Sequence, residues 1–205
     1  MPAVRRSSAA LVAVALVAAV LGGCTSDEDP APAPPEASST PLSDFATDDV
    51  SAARGEFCPR ISPEAVAEAL GADPEDDEAW ANGDRAKLSD GLRDVAHEYG
   101  CSWTAADGTA ARAWVFAPPV TAARAAALAR RAGRADGCRT VAGAPAYGAP
   151  STAVRCGAEI AFHGLFGDAW LSCSLQTPAA PPDLDRVGRW CVAVAQAASD
   201  QVRPR

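Results

Sequence analysis

The chain reads as an α+β domain: a mostly antiparallel, five-stranded sheet with helices packed on one face, braced by disulfides. Three observations predict it. Short runs of period-two alternation are separated by tight-turn signals, capped helical stripes stand at both ends and in the middle, and six cysteines are left over for the domain itself. The element order is α(α)ββαβββα, in which short hairpins make sequential strands antiparallel neighbours.

Each element has its own local reason. Ser62-Pro63 followed by Glu64 to Leu70 and then Gly71 is a short helix with proline in its first turn and a glycine stop. Residues 72–83 form an acidic loop that contains Trp80. The spacing of Leu88, Leu92 and Val95 predicts a second helix over 84–97, weakened by Gly91. Residues 99–104 and 110–117 alternate around Ala106-Asp107-Gly108, a hairpin signal. Cys101 and Trp103 share one side of it, where Trp114 and Phe116 can meet them across the pair. Pro118-Pro119 ends the hairpin, and Thr121 caps an Ala/Arg helix running to about Gly133. Three further strands follow at 151–156, 159–165 and 169–175. Asp183 caps a closing helix to Ala198, in which Leu184, Val187, Cys191, Val194 and Ala198 recur at helical spacing.

The amino end is an address. Arg5 and Arg6 precede a 13-residue apolar run from Ala9 to Leu21, too short to span a bilayer core of about 30 Å and right for a secretory h-region. Leu21-Gly22-Gly23-Cys24 resembles the bacterial lipobox, so residues 1–23 are expected to be a lipoprotein signal peptide. Cys24 is then the residue that takes a diacylglyceryl group, and two acyl chains make such an anchor stable. Cleavage would remove two arginines and take the formal charge from −8 to −10. Residues 24–56 read as the lipidated cysteine and a disordered Pro/acidic tether, reaching at most about 100 Å at about 3.1 Å per residue. The single domain is expected over 57–200, with a disordered tail at 201–205.

With Cys24 set aside, an even number of cysteines in an exported domain reads as a disulfide framework. Cys191 and Cys173 both point inward, which pairs the last helix with its strand. Cys138 and Cys156 flank a Gly/Pro-rich loop, leaving Cys58 with Cys101. The expected bridges are therefore Cys58–Cys101, Cys138–Cys156 and Cys173–Cys191.

Composition excludes some functions. With 18 Lys+Arg against 26 Asp+Glu, no nucleic acid is expected as a partner, because that needs a basic patch. The apolar share of 48% permits a core, yet aromatics are only 6%, so few large side chains must hold it. His97-Glu98 opens like a zincin helix, but Cys101 stands where the second histidine belongs. The carboxylates of residues 73–78 lack the glycine and the spaced glutamate of a calcium loop. No nucleophile motif is found, so no catalytic residue, cofactor or metal is expected.

One surface is a candidate for binding. If Val154, Cys156, Ile160, Phe162, Leu171 and Cys173 face the core, then Arg155, His163, Trp170, Ser172 and Ser174 face away on an open sheet face. The competing reading has Trp170 packed under the 136–150 loop as a second small core.

The residues from Cys58-Pro59-Arg60-Ile61-Ser62-Pro63 to Ala69-Leu70-Gly71, with Gly100-Cys101-Ser102-Trp103 after them, resemble a group of actinobacterial secreted lipoproteins of unknown function. The shared features are the lipobox, the Pro-rich tether, a cysteine before a short helix and Cys-x-Trp on the first strand. That group has Asp-Pro before the first cysteine, where this chain has Glu56-Phe57. The resemblance implies a lipid-anchored domain on the extracytoplasmic face of the cell membrane and brings no catalytic residue. The leading expectation is a non-enzymatic binding or sensing domain whose partner is a small ligand, a cell-wall polymer or an envelope protein. The alternatives are an envelope enzyme built on carboxylates such as Asp94, Glu98 and Asp168, and a purely structural envelope protein.

Overall fold

A computed structural model of the chain describes residues 40–89 and 91–199. The expected signal peptide, Cys24, the first part of the expected tether and the expected tail at 201–205 lie outside the described residues.

The elements are α1 (Pro63–Leu70), β1 (Asp76–Trp80), β2 (Arg85–Ser89), β3 (Leu92–Val95), β4 (Glu98–Thr104), β5 (Ala110–Phe116), α2 (Ala122–Ala132), β6 (Cys138–Thr140), β7 (Ser151–Cys156), β8 (Glu159–Phe166), β9 (Ala169–Gln176) and α3 (Leu184–Ala198). The α+β class holds, but the main sheet has seven strands rather than five. They run β1-β4-β5-β9-β8-β7-β6, antiparallel throughout, while β2 and β3 form a separate hairpin.

Local chemistry sets the helices. Ser62 accepts from the Ala65 amide at the start of α1, and Gly71 ends it at φ 74°, a left-handed conformation that a side chain would resist. Thr121 caps α2 through the Arg124 amide, and Asp183 caps α3 through the amides of Asp185 and Arg186. α1 and α3 run antiparallel and exchange end caps: Arg60 Nε donates to the Ala197 carbonyl of α3, and Arg186 Nε to the Ala69 carbonyl of α1.

These two helices cover one sheet face. Phe57, Val115, Phe162, Leu171, Leu175, Val187, Trp190 and Val194 make the core there. The Trp190 indole meets Trp103 edge-on at 5.6 Å and donates to the Arg112 carbonyl, which satisfies its polar end. Cys173 joins Cys191 between β9 and α3, Cys138 joins Cys156 between β6 and β7, and Cys58 joins Cys101 between the 3-10 turn Cys58–Arg60 and β4. Their Cα separations are 5.4, 4.1 and 6.0 Å, all within reach of a disulfide.

The other face is also covered, which corrects the expectation of helices on one face only. α2 lies on β7 and β8 and buries Trp170 with Val120, Ala125 and Leu165. The β2–β3 hairpin packs Ala86 and Ala96 on Trp80, and Trp114 links the two clusters.

Four further readings change. The helix expected over 84–97 is this hairpin: Leu92 and Val95, which would have formed its apolar stripe, are 50% and 38% exposed. The acidic loop contains β1, whose poor strand formers are held by full pairing of Asp76–Trp80 with β4. Trp114 pairs with Gly100, so Trp114 and Phe116 occupy the face opposite Cys101 and Trp103. Residues 40–56, expected to belong to the tether, are packed on the domain instead: Leu42 is 3% exposed, and Ala52 is buried and bridges Ser199 after α3.

Candidate functional site

The face nominated from the sequence is sealed. Trp170 and Ser172 are each 2% exposed and Ser174 is buried as well, because α2 rather than the 136–150 loop lies over this part of the sheet. Arg155 is not on this face at all. Val154 pairs with Ala161 and Arg155 with Ile160, so Arg155 shares the face of Ile160 and Phe162, near the sheet edge. Strand β7 thus points Ala153 rather than Val154 toward the α1/α3 side.

The pairing does bring His163 and Ser172 together. They sit directly opposite in register, with Nδ1 and Oγ 2.6 Å apart, and the imidazole stacks parallel to Trp170 at 6.3 Å between ring centres. Trp114 lies 6.1 Å from it. An edge of His163 keeps some solvent contact, yet its ring is enclosed deeply enough that desolvation lowers its pKa to about 4. This is a hydroxyl beside a neutral base, the arrangement of an activated nucleophile. Ser172 is too buried for any substrate to meet, so the pair works as a cross-strand hydrogen bond within a small core.

The three carboxylates weighed for an enzyme are dispersed. Asp94 accepts from its neighbour's amide on the exposed hairpin strand β3. Asp168, in the β8–β9 turn, pairs with Arg54 at 3.2 Å. Glu98 on β4 is half-buried, and burial raises its carboxyl pKa, an effect partly offset by the nearby Trp80 indole, whose Nε1 closes no hydrogen bond of good geometry. Cys101, at the missing zincin position, is committed to its bridge, and the carboxylates of residues 76–78 are strand residues. Among the described residues no group of three or more His, Cys, Asp or Glu could hold a metal ion.

A trough runs instead along the β1 edge, on residues that no motif in the sequence groups together. Its larger part, about 410 Å³, has an apolar floor of Ile61, Val66, Trp103 and the Cys58–Cys101 bridge, under a rim of Asp73, Asp77 and Glu78. A smaller part, about 230 Å³, adjoins it across Cys58, Pro59 and Ala79, and is lined by Trp80 and Tyr99 with Glu56 and Asp84. A concave apolar floor with a few polar groups at its rim is the usual form of a ligand site. The signal was present in the run of acids before Trp80, but reading it required the pairing of β1 with β4 and the Cys58–Cys101 crosslink.

Among the described residues no helix is long and apolar enough to cross a membrane. No family model, curated protein or solved structure matches this chain.

Proposed function

We propose that the protein is a lipid-anchored extracytoplasmic lipoprotein, held to the cell membrane through Cys24, whose domain is a non-enzymatic binding or sensing module. The resemblance to actinobacterial secreted lipoproteins belongs to this reading. The observation that carries it is the trough along β1, an apolar floor with indole and disulfide walls beneath five carboxylates. Three crosslinks in one domain support an oxidising compartment. The rim's charge favours a ligand or partner that presents an apolar group beside a cation: its apolar part gains from burial on Trp103 and Ile61, and its charge from Asp77 and Glu78. Against the enzyme alternative stand the buried Ser172 and the separation of Asp94, Glu98 and Asp168 onto different elements.

The test is metabolic palmitate labelling with crosslinking on intact cells. Wild type is expected to take the label and sediment with membranes, and Cys24→Ala to lose both. A crosslinked species recovered with wild type should disappear with Asp77→Arg/Glu78→Arg, two carboxylates on the sheet-edge strand β1, while an unchanged melting temperature shows that the variant is folded. An unlabelled wild type defeats the anchor, and undiminished crosslinking in the double variant defeats the trough.

A further inference from the structure

The formal charge of −8 conceals a strong separation of charge across the sheet. Residues 73–84, along the β1 edge, have six carboxylates and no basic residue. Residues 121–160, which include α2, β6 and β7, have six arginines against two acids, Asp136 and Glu159. Strands β1 and β6 are opposite ends of the strand order. Six inter-strand steps of about 4.8 Å put the two edges about 29 Å apart.

Packing explains how the arginines gather. At the C-terminus of α2, Gly133 lies against β6 so closely that a Cβ there would come within 2.6 Å of Thr140 Oγ1. That contact brings Arg130 and Arg131 of the last turn, and Arg134 just beyond it, to the sheet edge. With Ala127, Ala135 and Asp136 they line one shallow concavity of about 560 Å³. On the strand side Arg139 stands directly opposite Arg155, and the adjoining register position is the Cys138–Cys156 bridge. Like charges facing each other weaken a strand pair; here a covalent link holds them together. Among the described residues the side chains of Arg130, Arg131, Arg134 and Arg139 make no ion pair or hydrogen bond. The helix dipole favours cations in the last turn of α2. It does not account for Arg134 outside the helix, nor for the Arg139/Arg155 pair.

We propose that this arginine edge docks on the phosphate headgroups of an anionic bilayer and turns the acidic trough away from it. The inference rests on the anchored reading above, which supplies the membrane. Two observations favour a bilayer over a soluble phosphate polymer. The arginines lie on both sides of the edge strand, so they suit a broad charged plane better than a single chain. Only residues 25–39 separate Cys24 from the described part of the domain, a reach of at most about 47 Å at about 3.1 Å per residue. An anchored domain therefore stays within about 47 Å of the headgroups and meets them repeatedly. At contact, within a Debye length of about 8–10 Å, their attraction selects which edge faces down.

The test uses the mature chain from residue 24 with Cys24→Ser, produced in an oxidising compartment, so that no acyl chain contributes. It is sedimented with vesicles of phosphatidylcholine containing about 30% phosphatidylglycerol, and with pure phosphatidylcholine. Binding is expected only to the anionic vesicles, weakening with salt, and falling at least about tenfold in Arg130→Glu/Arg131→Glu/Arg134→Glu. The neutral variant Arg130→Gln/Arg131→Gln/Arg134→Gln, which removes charge without reversing it, should show an intermediate loss at an unchanged melting temperature. Wild type that ignores anionic vesicles, or variants that bind as tightly, overturns the proposal. So does wild type that binds soluble polyphosphate but not vesicles. Absence of palmitate on Cys24 would sink the anchor and leave this vesicle result standing, so the two failures are distinct.

Discussion

His163 concentrates what burial does to a single side chain here. Its ring stacks parallel to Trp170, has Trp114 6.1 Å away and meets Ser172, with desolvation holding its pKa at about 4 against an ordinary 6.5. The unfolded chain therefore binds a proton that the folded one refuses between those two values. The stabilisation is complete above about pH 6.5 and is lost as pH falls toward 4, amounting to about 3 kcal/mol if the full shift is realised. Glu98 works in the opposite sense, since its raised pKa removes stability as pH rises above its ordinary range. Comparing wild type with His163→Gln cancels that contribution. Urea midpoints at about pH 7 and about pH 4.5 should bring the two proteins closer together in acid, with His163→Gln losing less. A difference between them that does not change with pH would refute the assignment. Alternation in β8 and β9 made the grouping of His163, Trp170, Ser172 and Ser174 legible in the sequence. What covers them was not, because α2 presents mostly alanine to the sheet, and small residues give a weak apolar stripe. Arg155 was misplaced because β7 is apolar on both sides, and only its pairing with β8 fixes which side is which.

Among the elements, those with a strong local cause were readable: α1, α2 and α3 from their caps, and the β4–β5 turn from Asp107, which accepts from the Thr109 amide and hydroxyl before Gly108 at φ 86°. The bridges followed from the inward directions of Cys173 and Cys191 and from the loop between Cys138 and Cys156. The elements missed are those whose cause lies elsewhere in the chain. β1 exists because β4 pairs with it, β6 because it is crosslinked to β7, and the β2–β3 hairpin because Ala86 and Ala96 close over Trp80. The site was missed for the same reason, since its trough lines the β1 edge. Gly100 shows how tightly that edge is built. Trp80 pairs with it across the strands, and its indole occupies the space a side chain at Gly100 would need. Gly100→Ala should cost about 1–3 kcal/mol by displacing the indole. Trp80→Ala should cost about 3–5 kcal/mol. If the indole is the obstacle, adding Gly100→Ala to Trp80→Ala should cost little more, a coupling that chemical denaturation of all three variants would measure. Additive losses would mean that Gly100 is needed for some other reason.

The molecule as a whole begins earlier than its composition announces. Residues 24–56 read as a spacer because Pro, Ser, Ala and acidic residues dominate and no apolar period is present. Three separated apolar residues decide otherwise: Leu42 lies on α3, while Phe45 and Val50 pack at the margin of the main core. The approach to α3 is close because position 188 is glycine; a Cβ there would stand 3.0 Å from Leu42 Cβ. Farther along, the Ala53 amide donates to the Ala198 carbonyl, so this segment also closes the end of α3. A spacer would be indifferent to its own sequence, whereas a docked segment is not. Leu42→Ala should therefore lower unfolding free energy by about 2–4 kcal/mol, the cost of emptying a buried leucine site. Limited proteolysis should register the same change, with cleavage between 42 and 57 rare in wild type and early in the variant. If wild type is cut there first and keeps its denaturation midpoint after the cut, the segment is a spacer after all. If Leu42→Ala is both less stable and opened at that segment, the domain starts at residue 42. If Cys24 carries the proposed anchor, the chain available between it and the domain is then about half of what composition alone implied.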